Sequence, residues 1–198
     1  MQRKLIATTI AALLFSFGAH AQNAATETAR DTDQQQRIEQ GLQSGQLSTK
    51  EAASLEHQEK RIDATEAHDM KNGNLSAGEK AQIQREQNRV SSDIYQDKHN
   101  ATTGNPNSVS SQRMQADVQR NVNQEARINQ GVRSGQLTNK ETGSLERGQA
   151  HVDRAEARAG ANGRIGAGGQ ARIQGKENRQ SARVYNKKHN DKVRTATP

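Results

Sequence analysis

The segment Arg37 to Asn100 returns ninety residues later, without a gap, as Arg127 to Asn190, with 30 of 64 positions identical. RIEQGLQSGQLSTKE is answered by RINQGVRSGQLTNKE, and QNRVSSDIYQDKHN by ENRQSARVYNKKHN. A tandem duplication of this quality means that one local fold must be built twice, so the unit and its boundaries are the first things to establish. The sequence divides into a signal segment over 1–21, a first unit over 22–100, a linker over 101–111, a second unit over 112–190 and a tail over 191–198. The linker stretch ATTGNPNSVS has Gly104 and Pro106 among small polar residues, the composition of a flexible joint.

The first 21 residues have the parts of an export signal: a basic start (Arg3, Lys4), an apolar run from Leu5 to Phe17, and Ala19 and Ala21 flanking His20 before Gln22. The expected location is therefore the periplasm or the medium. The apolar run is too short to span a bilayer, and no later segment is apolar enough to do so. Both Phe residues leave with the signal, there is no Trp, and there is no Cys to staple the chain, ligate a soft metal or act as a nucleophile.

Each unit lacks proline and is rich in Ala, Gln, Glu, Lys and Arg, so helix is the expected state. Large apolar residues recur at helical spacing, as in Ile38 and Leu42, Ile83 with Val90 and Ile94, and Ile128 and Val132. They are sparse, which predicts helices meeting along a narrow seam. The stops and starts are explicit. SGQLSTKE offers Gly45 as a left-handed helix end and Ser48 with Glu51 as a capping box; NGNLSAGE and SGQLTNKE repeat the device with Gly73, Ser76 and Glu79, and with Gly135, Thr138 and Glu141. The fourth junction, NGRIGAGG, keeps Gly163 but has Gly166 and Gly169 where the cap and its acid should be, predicting a frayed start. The expectation is an all-α protein of two tandem three-helix units joined by a flexible linker. Its helices should run over roughly 27–43, 48–71, 76–98, 112–133, 138–161 and 167–188, with partial disorder in the glycine-rich second copy.

The spacing Gly-x-[Leu/Ile]-[Ser/Thr]-x-x-Glu is also that of the second half of an EF-hand loop. Aligned on Gly73, the ligand positions include Asn72, Ser76 and Glu79; the other two intact junctions contribute Glu51 and Glu141. Each loop supplies a single carboxylate, whereas calcium takes six to eight oxygens, so the bends are expected to be metal-free helix connections. A weak calcium or other metal site built on Glu51, Asn72, Ser76, Glu79 and Glu141 is the alternative, and no cofactor is otherwise implied. His68-Asp69-Met70 is read as the polar end of a helix.

No Ser/His/Asp order, HExxH motif, phosphate-cradling loop or dinucleotide fingerprint is present, so a non-enzymatic protein is expected. The recurring pairs Asp63/Asp153 and Glu66/Glu156, spaced i,i+3, are expected on a solvated helix face. Tyr95 and Tyr185, equivalent in the repeat, are expected to close a small apolar cluster at the end of each unit. The net charge of +7 divides unevenly, −4 over 22–100 and +9 over 101–198. Oppositely charged halves favour self-association, and the basic half suits a protein or an anionic component of the cell envelope. Nucleic acid is not expected, because acids interleave with the basic residues and stacking aromatics are nearly absent.

The string RIxQGxxSGxL[ST]xxE, followed by NGxLSxxE and QNRxSxxIYxxKHN, resembles a group of small exported bacterial proteins of unknown function. The resemblance covers both units and implies an exported, helical, duplicated protein, with no activity or site residue attached; the role expected for the chain is that of an envelope interaction or stress accessory protein.

Overall fold

The computed structural model describes residues 19–192, with side chains from Ala24 onward. The segment expected to be an export signal lies outside the described residues except for Ala19–Ala21, and the expected tail lies outside them beyond Lys192. The described chain forms six α-helices and no strand: α1 (Ala19–Ser44), α2 (Thr49–Asp69), α3 (Ala77–Lys98), α4 (Val109–Arg133), α5 (Asn139–Gly160) and α6 (Ala167–Lys188), with a single 3-10 turn at Met70–Asn72. No described helix is long and apolar enough to cross a membrane.

Local signals place the bends where expected. Gly45, Gly73, Gly135 and Gly163 have φ between 77° and 94°, the left-handed exit conformation in which a side chain is strained. Ser48, Ser76 and Thr138 each accept from the backbone N–H three residues on, and Glu51, Glu79 and Glu141 reach back to the cap N–H, completing three capping boxes. At the fourth bend Gly166 takes the cap position with extended backbone and no side-chain hydrogen bond, yet α6 still begins at the next residue. The turns are closed by Leu47 and Leu137. A Cβ at Gly41 would come within 2.5 Å of Leu47 Cδ1, and one at Gly131 within 2.7 Å of Leu137 Cδ1, so only glycine lets the leucine fold back onto the preceding helix.

The two copies do not stand apart on a flexible joint. The most extensive helix contacts are between copies, α2 against α5 and α1 against α4. Helices α2 and α5 run antiparallel, because Ala53 lies opposite Gly160 and Met70 opposite Gly143. Helix α3 packs on α1 and α2, and α6 packs on α4 and α5. The connection is likewise docked: the Gly104 N–H donates to Gly45 O at 2.8 Å, and a Cβ at Gly104 would collide with the Leu47 carbonyl, so a side chain has no room. Two three-helix units on a flexible linker are not what these contacts describe, because α2 and α5 each carry a face that the other copy covers.

The internal symmetry extends into hydrogen bonds. Gln34 and Gln124 each donate to a backbone carbonyl ninety residues apart, Gln87 O and Glu177 O; Arg30 and Arg120 donate to Asn88 and Asn178. These residues precede Arg37, so the structural repeat starts earlier than the sequence identity suggests, and α1 starts well before residue 27. Buried apolar pairs follow the same relation, among them Ile38 and Ile128, Leu55 and Leu145, and Ile83 and Ile173. The glycines of the second copy are used rather than merely tolerated: Gly143 admits Met70, Gly160 admits Ala53 and Met114, and Gly148 admits the Gln180 amide, which donates to Leu145 O at 2.8 Å.

Candidate functional site: a carboxylate-filled interior

Positions 56, 59, 63 and 66 of α2 follow a three-four-three spacing, which places them on one stripe of a helix. Their counterparts on α5 are 146, 149, 153 and 156. The residues are Glu56, Glu59, Asp63 and Glu66 against Glu146, Gln149, Asp153 and Glu156, and every one is buried. Since α2 and α5 are the central antiparallel pair, the two stripes meet inside the protein. The expectation of a solvated face for Asp63, Glu66, Asp153 and Glu156 is therefore overturned: their stripe points at the other copy, not at water. Helices α1, α3, α4 and α6 add Glu27, Asp31, Gln34, Gln35, Gln87, Asp117, Asn121, Gln124, Glu125 and Glu177, also buried.

Within this interior two triads stand out. Carboxylate oxygens of Glu56, Asp153 and Glu156 lie within 4.8 Å of one another, and so do those of Asp63, Glu125 and Glu146. The internal repeat relates them, taking Glu56 to Glu146 and Asp153 to Asp63. It also supplies the fourth member of each. Glu156 of the first triad corresponds to Glu66, which feels the charges of Glu146 and Glu125 at the second. Glu125 corresponds to Gln35, whose amide donates to Glu56 Oε2 at 3.1 Å. One site thus comprises Glu56, Asp153, Glu156 and Gln35; the other comprises Glu146, Asp63, Glu66 and Glu125. Asp63 and Asp153 are in hydrogen-bonding contact and join the two.

Burial is the main force on these groups. It pushes the Glu56 carboxyl up to about 8 and those of Asp31 and Asp153 up to about 7. Asp63, Glu66, Glu125, Glu146 and Glu156 are driven well above the ordinary carboxylate range, first by burial and then by the charges of other buried acids such as Asp31, Asp153 and Glu56. Balancing cations act from the rim. Arg120 Nε stands 3.2 Å from Glu177 Oε2, while Arg37 and Lys60 weigh on Glu59 and Asp153 from farther out. The neighbours that hold the carboxylates in place are neutral amides. Asn121 donates to Glu156 Oε2 at 2.8 Å, and Gln87 donates to Asp31 Oδ1 at 2.8 Å.

Acceptors remain over. Glu146 is completely buried and neither of its carboxylate oxygens has a hydrogen-bond partner. One oxygen each of Glu56, Asp63, Glu125 and Glu156 is also unpartnered. So are the amide oxygens of Asn121 and Gln35, on the same amide groups that donate into the first triad. Leaving a buried acceptor unpaired costs roughly 1–3 kcal/mol, more for a charged one. Two arrangements relieve such a site: protons shared between facing carboxyls, or a cation held among the oxygens.

The loop residues flagged by spacing are engaged in structural roles. Glu51 Oε2 accepts from Ser48 N and Oγ, at 2.9 and 2.7 Å, and its Oε1 accepts from Asn100 at 2.9 Å. Glu141 repeats this with Thr138 and Asn190. Burial would raise both acids, but the hydrogen bonds prevail and hold them below the ordinary value. Glu79 accepts from Ser76 N at 2.7 Å, and Asn72 Oδ1 accepts from Asn74 N at 2.9 Å. The structure does not bring Glu51, Asn72, Ser76, Glu79 and Glu141 into one site; they sit at three separate bends. The Lys-His-Asn ends of the units now have a purpose, since Asn100 and Asn190 tie each unit's last turn to its first capping box. Tyr95 and Tyr185 differ from expectation: both are 60% exposed and stack on His99 and His189, with ring centroids 4.2 Å apart.

No protein-family model, curated protein or solved structure matches this chain.

Proposed function

We propose that this is an exported, non-enzymatic helical bundle that takes up hard multivalent cations at two repeat-related carboxylate sites in its interior. The observation that carries the reading is Glu146, buried completely with two unpartnered oxygens, in a triad with Asp63 and Glu125. Every donor is an oxygen, from carboxylates or side-chain amides, which selects calcium-like, manganese-like or trivalent ions over copper or zinc. The spacing admits such an ion: the triad oxygens lie within 4.8 Å of one another, no farther apart than the roughly 5 Å that separates two oxygens across calcium at twice its usual bond length.

This reading keeps the metal-binding class but moves it from the bends to the interior. An accessory protein that only presents a surface to partners has no use for so many buried acids, each of which costs several kcal/mol to bury charged. The test is calorimetric titration of the purified, chelator-treated chain with calcium, manganese and a trivalent lanthanide at pH 7.5. Two ions per chain are expected, falling to one in Glu146→Gln. Neutralising that acid relieves like-charge repulsion, so the variant should stay folded. Loss of the signal in Glu79→Ala but not in Glu146→Gln, or no heat with any of the ions, would overturn the proposal.

A further inference from the structure

A second feature lies outside the bundle and does not depend on the interior sites. Three shallow grooves run side by side over α2, α5 and α6. The first, between α2 and α5, is lined by Lys50, His57, Lys60, Arg154 and Arg158 around an alanine floor. The next, between α5 and α6, shares Arg154 and Arg158 and adds His151, Arg172 and Lys176. The last continues from His151 and Lys176 to Arg179 and Arg183. The grooves therefore form one continuous face, and no acidic residue lines any of them.

The charges on this face repel one another. Lys60 is lowered by its partial burial and then by Arg154, Arg61 and Arg158. His151 is lowered by burial and then by Arg154, Lys176, Arg183 and Arg147. The side chains of Arg154, Arg158, Arg172 and Lys176 make no hydrogen bond or ion pair with any described residue; the first three are exposed and Lys176 is half-buried.

The duplication provides an internal control. The face related by the ninety-residue shift is built on the same helices of the other copy. There Arg154, Arg158, Arg172 and Lys176 are replaced by Ala64, His68, Gln82 and Glu86, Lys60 by Ala150 and Arg183 by Asp93, while Lys140, Arg147, Arg61 and Arg89 stand at the positions of Lys50, His57, His151 and Arg179. Glu86 accepts from Thr65 and Gln82 at 3.0 and 3.3 Å, an ordinary self-satisfied surface. The same backbone thus works with fewer basic groups and with the acids Glu86 and Asp93 among them, and the fold does not require an all-basic face.

We propose that this face binds a linear phosphate polyanion, laid along α5 in the grooves on either side. Arginine guanidiniums four residues apart on one helix face, Arg154 and Arg158, suit paired phosphate oxygens. A chain fits the linked grooves, whereas a bilayer is flat and is gripped by apolar wedges. The exposed large apolar side chains, Tyr95, Val109 and Tyr185, line none of the three grooves.

The experiment titrates the full chain with inorganic polyphosphate of uniform length at low and at physiological ionic strength, with phosphatidylglycerol vesicles in parallel. Polyphosphate should bind, and more weakly as salt rises. Arg154→Ala with Arg158→Ala should weaken binding at least tenfold. Ala64→Glu with His68→Glu, which changes the net charge by the same amount on the related face, should change it less than threefold. Circular dichroism should show all variants equally helical, as all four positions are exposed. Equal losses in the two double variants would overturn the proposal by reducing it to overall charge. So would preferential binding to vesicles, or no binding at either ionic strength.

Discussion

At the residue scale, the glycines of the second copy carry most of the information about how closely the copies meet. Gly143 lies inside α5, where alanine would ordinarily be favoured. Its Cβ would come within 2.8 Å of Met70 Cβ, across the central helix pair. Gly143→Ala should therefore destabilise by about 1–3 kcal/mol through forced separation of α2 and α5. Gly175→Ala, where the nearest atom is the far end of Arg179 at 3.8 Å, should stabilise by about 0.5–1 kcal/mol. Thermal or urea unfolding of the two variants measures the contrast. From sequence these glycines look alike, as departures from better helix formers in the first copy. Only the partner helix distinguishes them.

At the scale of elements, helix ends were legible and helix faces were not. A bend is specified within about eight residues by a glycine exit, a leucine that folds back and a reciprocal cap, and all of this is visible in SGQLSTKE. Which way a helix then points is decided by residues far away in the chain. The acids at 56, 59, 63 and 66 have the spacing of a buried stripe, and their recurrence at 146, 153 and 156 was the available signal. It was masked because carboxylates at i,i+3 usually mark a wet surface. A further hint lay in the exchanges between copies, where acid and amide swap at Asp31/Asn121, Gln35/Glu125, Glu59/Gln149 and Gln87/Glu177. Such swaps preserve shape while changing charge, as a shared interior demands. The caps make their own prediction. Ser76→Ala should cost about 1 kcal/mol, and Gly166→Ser with Gly169→Glu, which rebuilds the missing box at α6, should gain up to about 1 kcal/mol. A Cβ at Gly169 meets Ala159 at an ordinary 3.5 Å, so the repair has room.

At the scale of the whole molecule, the interior ties stability to pH in the opposite sense from most proteins. Glu56 at about 8 and Asp31, Asp117 and Asp153 at about 7 hold protons in the fold that the unfolded chain releases near pH 4. Their contribution is complete below about pH 4 and is lost as pH rises through about 7–8. With cations removed, the unfolding midpoint should therefore fall steadily between pH 5 and pH 8. Added calcium or lanthanide should restore it, most strongly at the alkaline end, because ions replace the departing protons. Unfolding scans across that range, with and without chelator, check both trends; a midpoint rising with pH in chelator would contradict the burial described for these acids.

The docking of α2 on α5 and of α1 on α4 has a consequence for ancestry. Each half completes the other in the way two copies of a single short chain would complete a homodimer about a twofold axis. Residues 22–100 made alone should then find a second molecule of themselves, α2 against α2, and sediment as a pair. The fused gene has the advantage of letting its two faces diverge, so that one flank can become wholly basic while the other keeps acids among its basic residues, something no symmetric dimer can do.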